Sequence, residues 1–278
     1  MHSTLAILSS DANLLRCQVA LLREHLRPLV DKRPRAVGLG YIEADAILLR
    51  KKPGDVGTLD LDALVTDVVS EVLFFHAGPI NGGGAFADED VMPLRYRRWL
   101  FQHAGALAAP AASRAALSAE IPAFLARQAK GSTGGELVFL AFLAALRESG
   151  HADDFDIAPQ VVGRTLGQTA RLCERVERAS GKVGNLSFFV TNGRVLAATR
   201  LQSGPLHYSL LEGISRCQRC GITESTPESS PLLRAHRRVR GVVIATDVQD
   251  GRFIEVPEAS TITIGHNLEV QVAPIPAG

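Results

Sequence analysis

Spacing alone singles out Cys217-Gln218-Arg219-Cys220 as the segment best suited to chemistry. A CxxC turn can aim two thiolates at one point, which is half of a tetrahedral Zn²⁺ site; two more ligands are then needed. His207 and His236 are the nearest candidates, but their spacing matches no standard zinc module. Three readings of Cys217 and Cys220 stay open: zinc ligands, a reversible disulfide, or free thiols in a loop. The other cysteines, Cys17 and Cys173, fall in helical patterns and read as buried thiols. This usage fits a reducing cytoplasm better than a disulfide framework. Beside the CxxC lie Arg234, Arg237, Arg238 and Arg240, with His236 among them. Such a run could meet phosphates or an acidic partner. It has no interleaved aromatics on which bases would stack, so a solvated approach to a strand is the simpler reading. Asn81-Gly82-Gly83-Gly84 lacks the Lys-Ser/Thr and the spacing of a P-loop and reads as an ordinary loop.

The elements that must position these residues follow from periodicity. Leu5-Ala6-Ile7-Leu8 is a short apolar run and reads as a strand. Asp11 or Asn13 would cap a helix carrying Leu15, Val19, Leu22, Leu26 and Leu29 on one face, ended by Pro34. Gly38–Ile42, Ala46–Leu49 and Val72–Phe75 read as strands, with a helix opened by Asp60 before the last. Trp99-Leu100-Phe101 resumes the sheet. Ala106–Ala129 is mostly helical with a break near Pro122, and Glu136–Leu146 and Asp156–Ala179 hold two further helices. The last third is β-rich. Asn192-Gly193 between two apolar runs is a hairpin signal. Val242–Ala245, Thr261–Ile264 and Leu268–Val272 are strands, and Gly265-His266-Asn267 is a turn. Thr223–Leu233, rich in Ser, Thr, Pro and Glu, reads as a loop. Hairpins outnumber βαβ units, which indicates an α+β fold with mainly antiparallel sheets. No linker divides residues 1–278, so a single domain is expected.

The bulk composition excludes several functions. The 278 residues are 46% hydrophobic, enough for a sizeable core, and 21% charged with a net charge of +1. That balance gives no reason to expect nucleic acid or an acidic membrane surface as partner. The N-terminus has no basic segment followed by an apolar run, and no stretch approaches ~18 uninterrupted apolar residues. A cytoplasmic location with no membrane partner is expected.

The order of these segments resembles the class II (N-terminal nucleophile) glutamine amidotransferases, especially the small stand-alone type. The family's Met-Cys before a first strand corresponds to Met1-His2. Its glycine-rich strand corresponds to Gly38-Leu39-Gly40, its His-Val-Arg strand end to His76-Ala77-Gly78, and its Thr-His-Pro-Phe turn to Val91–Leu94. Its Trp-bearing strand corresponds to Arg98–Phe101, its His-Asn-Gly to His103-Ala104-Gly105, and its Gly-x-Thr-Asp-Ser-Glu to Gly131–Glu136. Asn185–Arg200 and Val243–Thr246 match a later hairpin and core strand. The resemblance spans nearly the whole chain. It implies an Ntn-hydrolase-like four-layer αββα sandwich.

It also implies that the chemistry is gone. In the family a terminal cysteine thiol attacks the glutamine amide with its own α-amine as base. His2 stands there, imidazole cannot form the thioester, and Met1 is expected to be retained before so large a second residue. An Asn-Gly pair supplies the oxyanion hole, and losing one such donor costs ~10²–10³ in rate. Ala104 replaces the Asn, leaving Gly105. Gly78 replaces the arginine that clamps the substrate α-carboxylate, and Gly134 replaces the aspartate that holds its α-ammonium. Scaffold positions Gly38, Gly40, Pro93, Trp99, Phe101, Gly105 and Glu136 all match. His76 and His103 end two strands beside this site and read as hydrogen-bonded scaffold residues, with a metal or acid–base role as the alternative. His2 could likewise be a new functional group rather than a plain loss. The expectation is a non-catalytic protein with no cofactor, interacting with an active paralogue or another cytoplasmic protein. Its emptied cleft, lined by Gly78, Ala104 and Gly134, could accept a peptide segment or a different small molecule. Two rivals remain: an enzyme processed to expose Ser3 or Thr4 as nucleophile, and a metal- or redox-sensing module on Cys217 and Cys220.

Overall fold

The computed structural model describes residues 3–22, 36–54, 60–78, 87–108, 110–246, 248 and 251–277. The elements begin with β1 (Ser3–Ser9), α1 (Leu15–Leu22), β2 (Ala36–Glu43), β3 (Ala46–Pro53), α2 (Leu61–Leu64) and β4 (Val72–Gly78). Next come β5 (Leu94–Tyr96), β6 (Trp99–His103), α3 (Pro110–Glu120), α4 (Ala123–Ala126), α5 (Gly134–Glu148) and α6 (Pro159–Ala179). The chain continues with β7 (Phe188–Thr191), β8 (Leu196–Arg200), β9 (Leu206–Glu212) and α7 (Pro231–Arg238). It ends with β10 (Arg240–Thr246), β11 (Ile254–Glu255), β12 (Ser260–Ile264) and β13 (Val270–Pro274).

The strands form two antiparallel sheets, ordered β11-β9-β10-β1-β4-β2-β3 and β13-β12-β8-β7-β6-β5. β1 lies at the centre of the first sheet and every one of its residues is buried. A strand covered on both faces must read as a continuous apolar run, and Leu5–Leu8 does. One face of β1 gives Leu5 and Ile7 to a core shared with Leu15, Val19 and Leu22 of α1 and with Leu61, Val65 and Val68. The other face gives Ala6 and Leu8 to a core between the sheets, with Leu100, Phe189, Leu196 and Ile262. A third core lies between the second sheet and α3, α5 and α6. There Trp99 meets Phe142 edge-on at 5.3 Å between ring centroids and Phe101 stacks on Phe139 at 5.1 Å. Helix, sheet, sheet and helix follow one another, which is the four-layer αββα arrangement.

Local chemistry explains several boundaries. Asp60 caps α2 by accepting from the Asp62 and Ala63 N–H groups at 3.0 and 3.4 Å. The helix expected after Asp11 runs over Leu15–Leu22; Leu26, Leu29 and Pro34 fall outside the described residues. Residues 81–84 do so too. Three expectations change. β9 carries no clean alternation and was not legible, yet it pairs along its whole length with β10. Pro231–Leu233, read as loop, begins α7, whose Ser230 cap accepts from the Leu233 N–H at 3.4 Å. The arginine run therefore lies mostly on a helix rather than a strand approach, with Arg237 paired to Glu228. No helix among the described residues is long and apolar enough to cross a membrane.

Candidate functional site

The described positions matched to the amidotransferase site lie at the ends of their elements. His2 lies outside the described residues; the first described residue, Ser3, pairs with Ala77. Gly78 is the last residue of β4, opposite Ala36 on β2. Ala104 and Gly105 follow β6, and Gly134 is the first residue of α5. Ser3 and Thr4 are both buried in the sheet. The Thr4 N–H donates to Thr246 Oγ1 at 3.0 Å.

Each position has a local reason for its residue. Ala104 turns its methyl into the core between the sheets rather than into an open cleft, and its N–H donates to the Ser187 carbonyl at 2.9 Å. Gly105 has φ +152°, and a Cβ there would lie 2.7 Å from Asn185 Cβ. A Cβ on Gly134 would lie 2.5 Å from Leu107 Cδ1, so a buried leucine takes the space in which a side chain at 134 would start. The loop before α5 keeps its framework: the Glu136 carboxylate accepts from the Lys130 and Gly131 N–H groups at 2.9 and 2.7 Å.

The two histidines are held as scaffold. His76 Nδ1 lies 3.2 Å from Thr4 Oγ1. His103 is fully buried with its ring edge-on to Phe188 at 4.8 Å, and its Nε2 donates to the Asn185 carbonyl at 2.5 Å. Burial pulls the His103 imidazole down to about 4 from an ordinary 6.5, opposed by the Asn185 hydrogen bond and by Glu177. The unfolded chain therefore binds one more proton than the folded chain between these two values. The stability held with neutral His103 is complete above pH 6.5 and is lost as pH falls towards 4, at up to ~1.4 kcal/mol per pH unit. Urea unfolding from pH 7 to pH 5 is expected to show this slope, and His103→Gln, which keeps a donor to Asn185, is expected to reduce it. Equal slopes in the two proteins would refute the assignment.

A second cluster forms among residues that have no part in the matched site. Cys217 and Cys220 flank a single 3₁₀ turn, Gln218–Cys220. The structure adds Cys17, from α1, and selects His236, on α7; the four donor atoms lie within 4.8 Å of one another. Of the two histidines nearest in sequence, His236 joins the group and His207, on β9, does not. Burial pushes the Cys17 thiol up, helped by hydrogen bonding to Cys220 and Cys217. Cys220 is also raised, first by burial, while the positive Arg16 opposes the rise. Cys17 was legible only as a buried thiol because its partners lie some 200 residues away and no local pattern links them.

No family model matches the sequence, and no curated protein matches it. Solved structures do. The glutamine aminotransferase class-II domain protein from Silicibacter pomeroyi is 17% identical with a TM-score of 0.59, over 99% of this chain and 100% of that one. The predicted glutamine amidotransferase from Pseudomonas aeruginosa PA01 is 16% identical with a TM-score of 0.53, over 97% of this chain and 95% of that one. Glutamine phosphoribosylpyrophosphate amidotransferase from B. subtilis, complexed with ADP and GMP, is 13% identical with a TM-score of 0.52. There 99% of this chain matches 50% of that one, so the chain spans about half its length. The two facing antiparallel sheets, their flanking helices and these likenesses agree: this chain has the fold of the class II glutamine amidotransferase domains.

Proposed function

We propose that the chain is a catalytically silent glutamine amidotransferase-like protein that acts by binding another protein, an active paralogue or another cytoplasmic partner. The observation that carries the reading is at Gly134. The position matched to the substrate-ammonium anchor has no side chain, and the buried side chain of Leu107 packs where one would begin. A charged ammonium set against this hydrocarbon would lose its hydration without gaining a partner, which is strongly unfavourable. Loss of the matched nucleophile, arginine and oxyanion-hole asparagine at His2, Gly78 and Ala104 agrees in direction.

The alternative of a processed Ser3 or Thr4 nucleophile requires a residue that is now strand to become a chain end. Ser3 and Thr4 are buried, and Thr4 is tied to Thr246 and His76. The test is glutamine hydrolysis by the purified chain together with its intact mass. The expected result is no ammonia release above background from an unprocessed chain. Turnover by an unprocessed chain would overturn the proposal. Turnover that appears only after loss of Met1-His2 or Met1-His2-Ser3 would establish the processed enzyme instead.

A further inference from the structure

We infer that Cys17, Cys217, Cys220 and His236 form a closed structural zinc site that fastens the connection between β9 and β10 onto α1. The donor set comes first. Three sulfurs and one imidazole nitrogen converge, a soft, nitrogen-containing set that selects Zn²⁺ over hard cations. Geometry agrees. Cys17 Sγ and Cys220 Sγ are 3.6 Å apart. Sulfurs at about 2.3 Å from a tetrahedral zinc would be about 3.8 Å apart. All donor separations lie within 4.8 Å, so they close to that edge with shifts of no more than about 1 Å.

His236 supplies an independent sign of a ligand. It is fully buried, and Nδ1 lies 2.8 Å from the Leu232 carbonyl one helical turn earlier. A carbonyl only accepts, so Nδ1 carries the hydrogen and Nε2 keeps a lone pair. That Nε2 is buried and has no hydrogen-bond partner. An unpartnered buried acceptor is costly, whereas a second hydrogen bond that fixes ring and tautomer is the usual arrangement behind a metal-bound imidazole.

The CxxC turn is built to aim both thiols one way. Cys217 and Ile222 exchange backbone hydrogen bonds at 3.0 and 2.9 Å, and the Cys220 N–H donates to the Cys217 carbonyl at 3.2 Å. Gly221, at φ +67°, lets the chain turn back directly after the second cysteine. A disulfide between two of the thiols would leave a third thiol and the orphaned Nε2 unexplained.

All four ligands come from protein, so no coordination position stays open and the site is structural rather than catalytic. Binding converts three thiols to thiolates and releases up to three protons to solvent. The resulting site carries one net negative charge, and Arg16 stands near Cys220 to offset it. What the site would secure is held by a small apolar cluster and by the Arg219–Asp62 ion pair to α2. Among the described residues, the buried apolar cluster around the cysteines consists of Leu14, just before α1, and Ile214, Ile222, Leu233 and Val239. Metal binding would then supply much of the local folding free energy.

The experiment is metal analysis of the full chain purified without added chelator, with about one zinc per chain expected. Reduced, metal-free protein is then titrated with Co²⁺; intense visible bands of a tetrahedral thiolate site, abolished by Zn²⁺, are expected. Cys217→Ser should remove both signals. Because that variant could simply misfold, hydrogen exchange of the unsubstituted chain provides the second arm. Stripping the zinc is expected to speed exchange in residues 213–239 by at least about tenfold, with little change in the central sheet. Folded, reduced protein that contains no zinc and gives no Co²⁺ bands would overturn the inference. So would zinc-free native protein lighter by the two hydrogens of a disulfide, which would identify a redox pair instead.

Discussion

Gly38→Ala is expected to destabilise the chain by on the order of 3–5 kcal/mol, read as a fall in the urea unfolding midpoint. A Cβ built on Gly38 would lie 1.8 Å from the Met92 carbonyl oxygen, well inside van der Waals contact. The obstacle is backbone, so no rotamer change relieves it. Nor can the Met92–Pro93 segment easily withdraw. Gly40 lies two residues along β2 on the same face, and a Cβ there would be 2.7 Å from Pro93 Cγ. The two glycines thus form a shallow trough on β2 into which Met92–Pro93 settles on its way to β5, and the trough joins one sheet to the other. Leu39, between them, faces the opposite way into the core under α1. A loss below about 1 kcal/mol would mean that the segment moves freely, and the proposed reason for both glycines would fail.

Glu177→Ala is expected to cost about as much, ~3–5 kcal/mol, for a different reason. Glu177 sits in the last turn of α6 and is fully buried. One carboxylate oxygen accepts from the Ala108 and Gly184 N–H groups at 2.8 and 2.7 Å, and the other from Ser113 Oγ at 2.7 Å. The alanine variant would take the acceptor away from the buried Ser113 hydroxyl and from the backbone N–H groups of two half-buried residues, and put an apolar methyl in its place. Glu177→Gln should be intermediate, since its amide nitrogen must face at least one donor. The same carboxylate joins the strands of chain at 105–108 and 184–185. Its removal should therefore loosen the Gly105 turn first, seen as hydrogen exchange rising there at concentrations of urea too low to unfold the sheets. An alanine variant as stable as the parent would show that water or another group replaces the carboxylate.

Legibility in the sequence tracked how local each cause is. Leu5–Leu8, the Asn192-Gly193 hairpin and the Pro122 break could be read because run length, turn chemistry and a missing N–H act within a few residues. The roles of Gly38 and Glu136 could be placed by resemblance, but their reasons, a carbonyl 54 residues on and a capped loop, needed coordinates. β9 was invisible because its order comes from β10 rather than from its own pattern. At the matched site the replaced residues were readable one by one, yet nothing announced that Leu107 would stand against Gly134. At the cysteine cluster, Cys217 and Cys220 were named as donors and His236 as one of two candidate histidines. Spacing could not choose His236 over His207, and Cys17 looked like one more apolar position on α1, because the fold alone brings these distant segments together.

The placement of β1 has a consequence for how the molecule is made. Its one neighbour, β4, leaves the ribosome early, but its other, β10, begins about 160 residues later. At roughly 5–20 residues per second, the nascent chain waits about ten to thirty seconds for that second partner. During this interval Leu5-Ala6-Ile7-Leu8 forms the open edge of whatever sheet β4, β2 and β3 have built. A fully apolar edge is the kind of surface on which neighbouring nascent chains pair wrongly. Synthesis of this protein should therefore depend on chaperones that shield the N-terminal third, and slowing translation between residues 78 and 240 should lower the soluble yield far more than slowing it after residue 246.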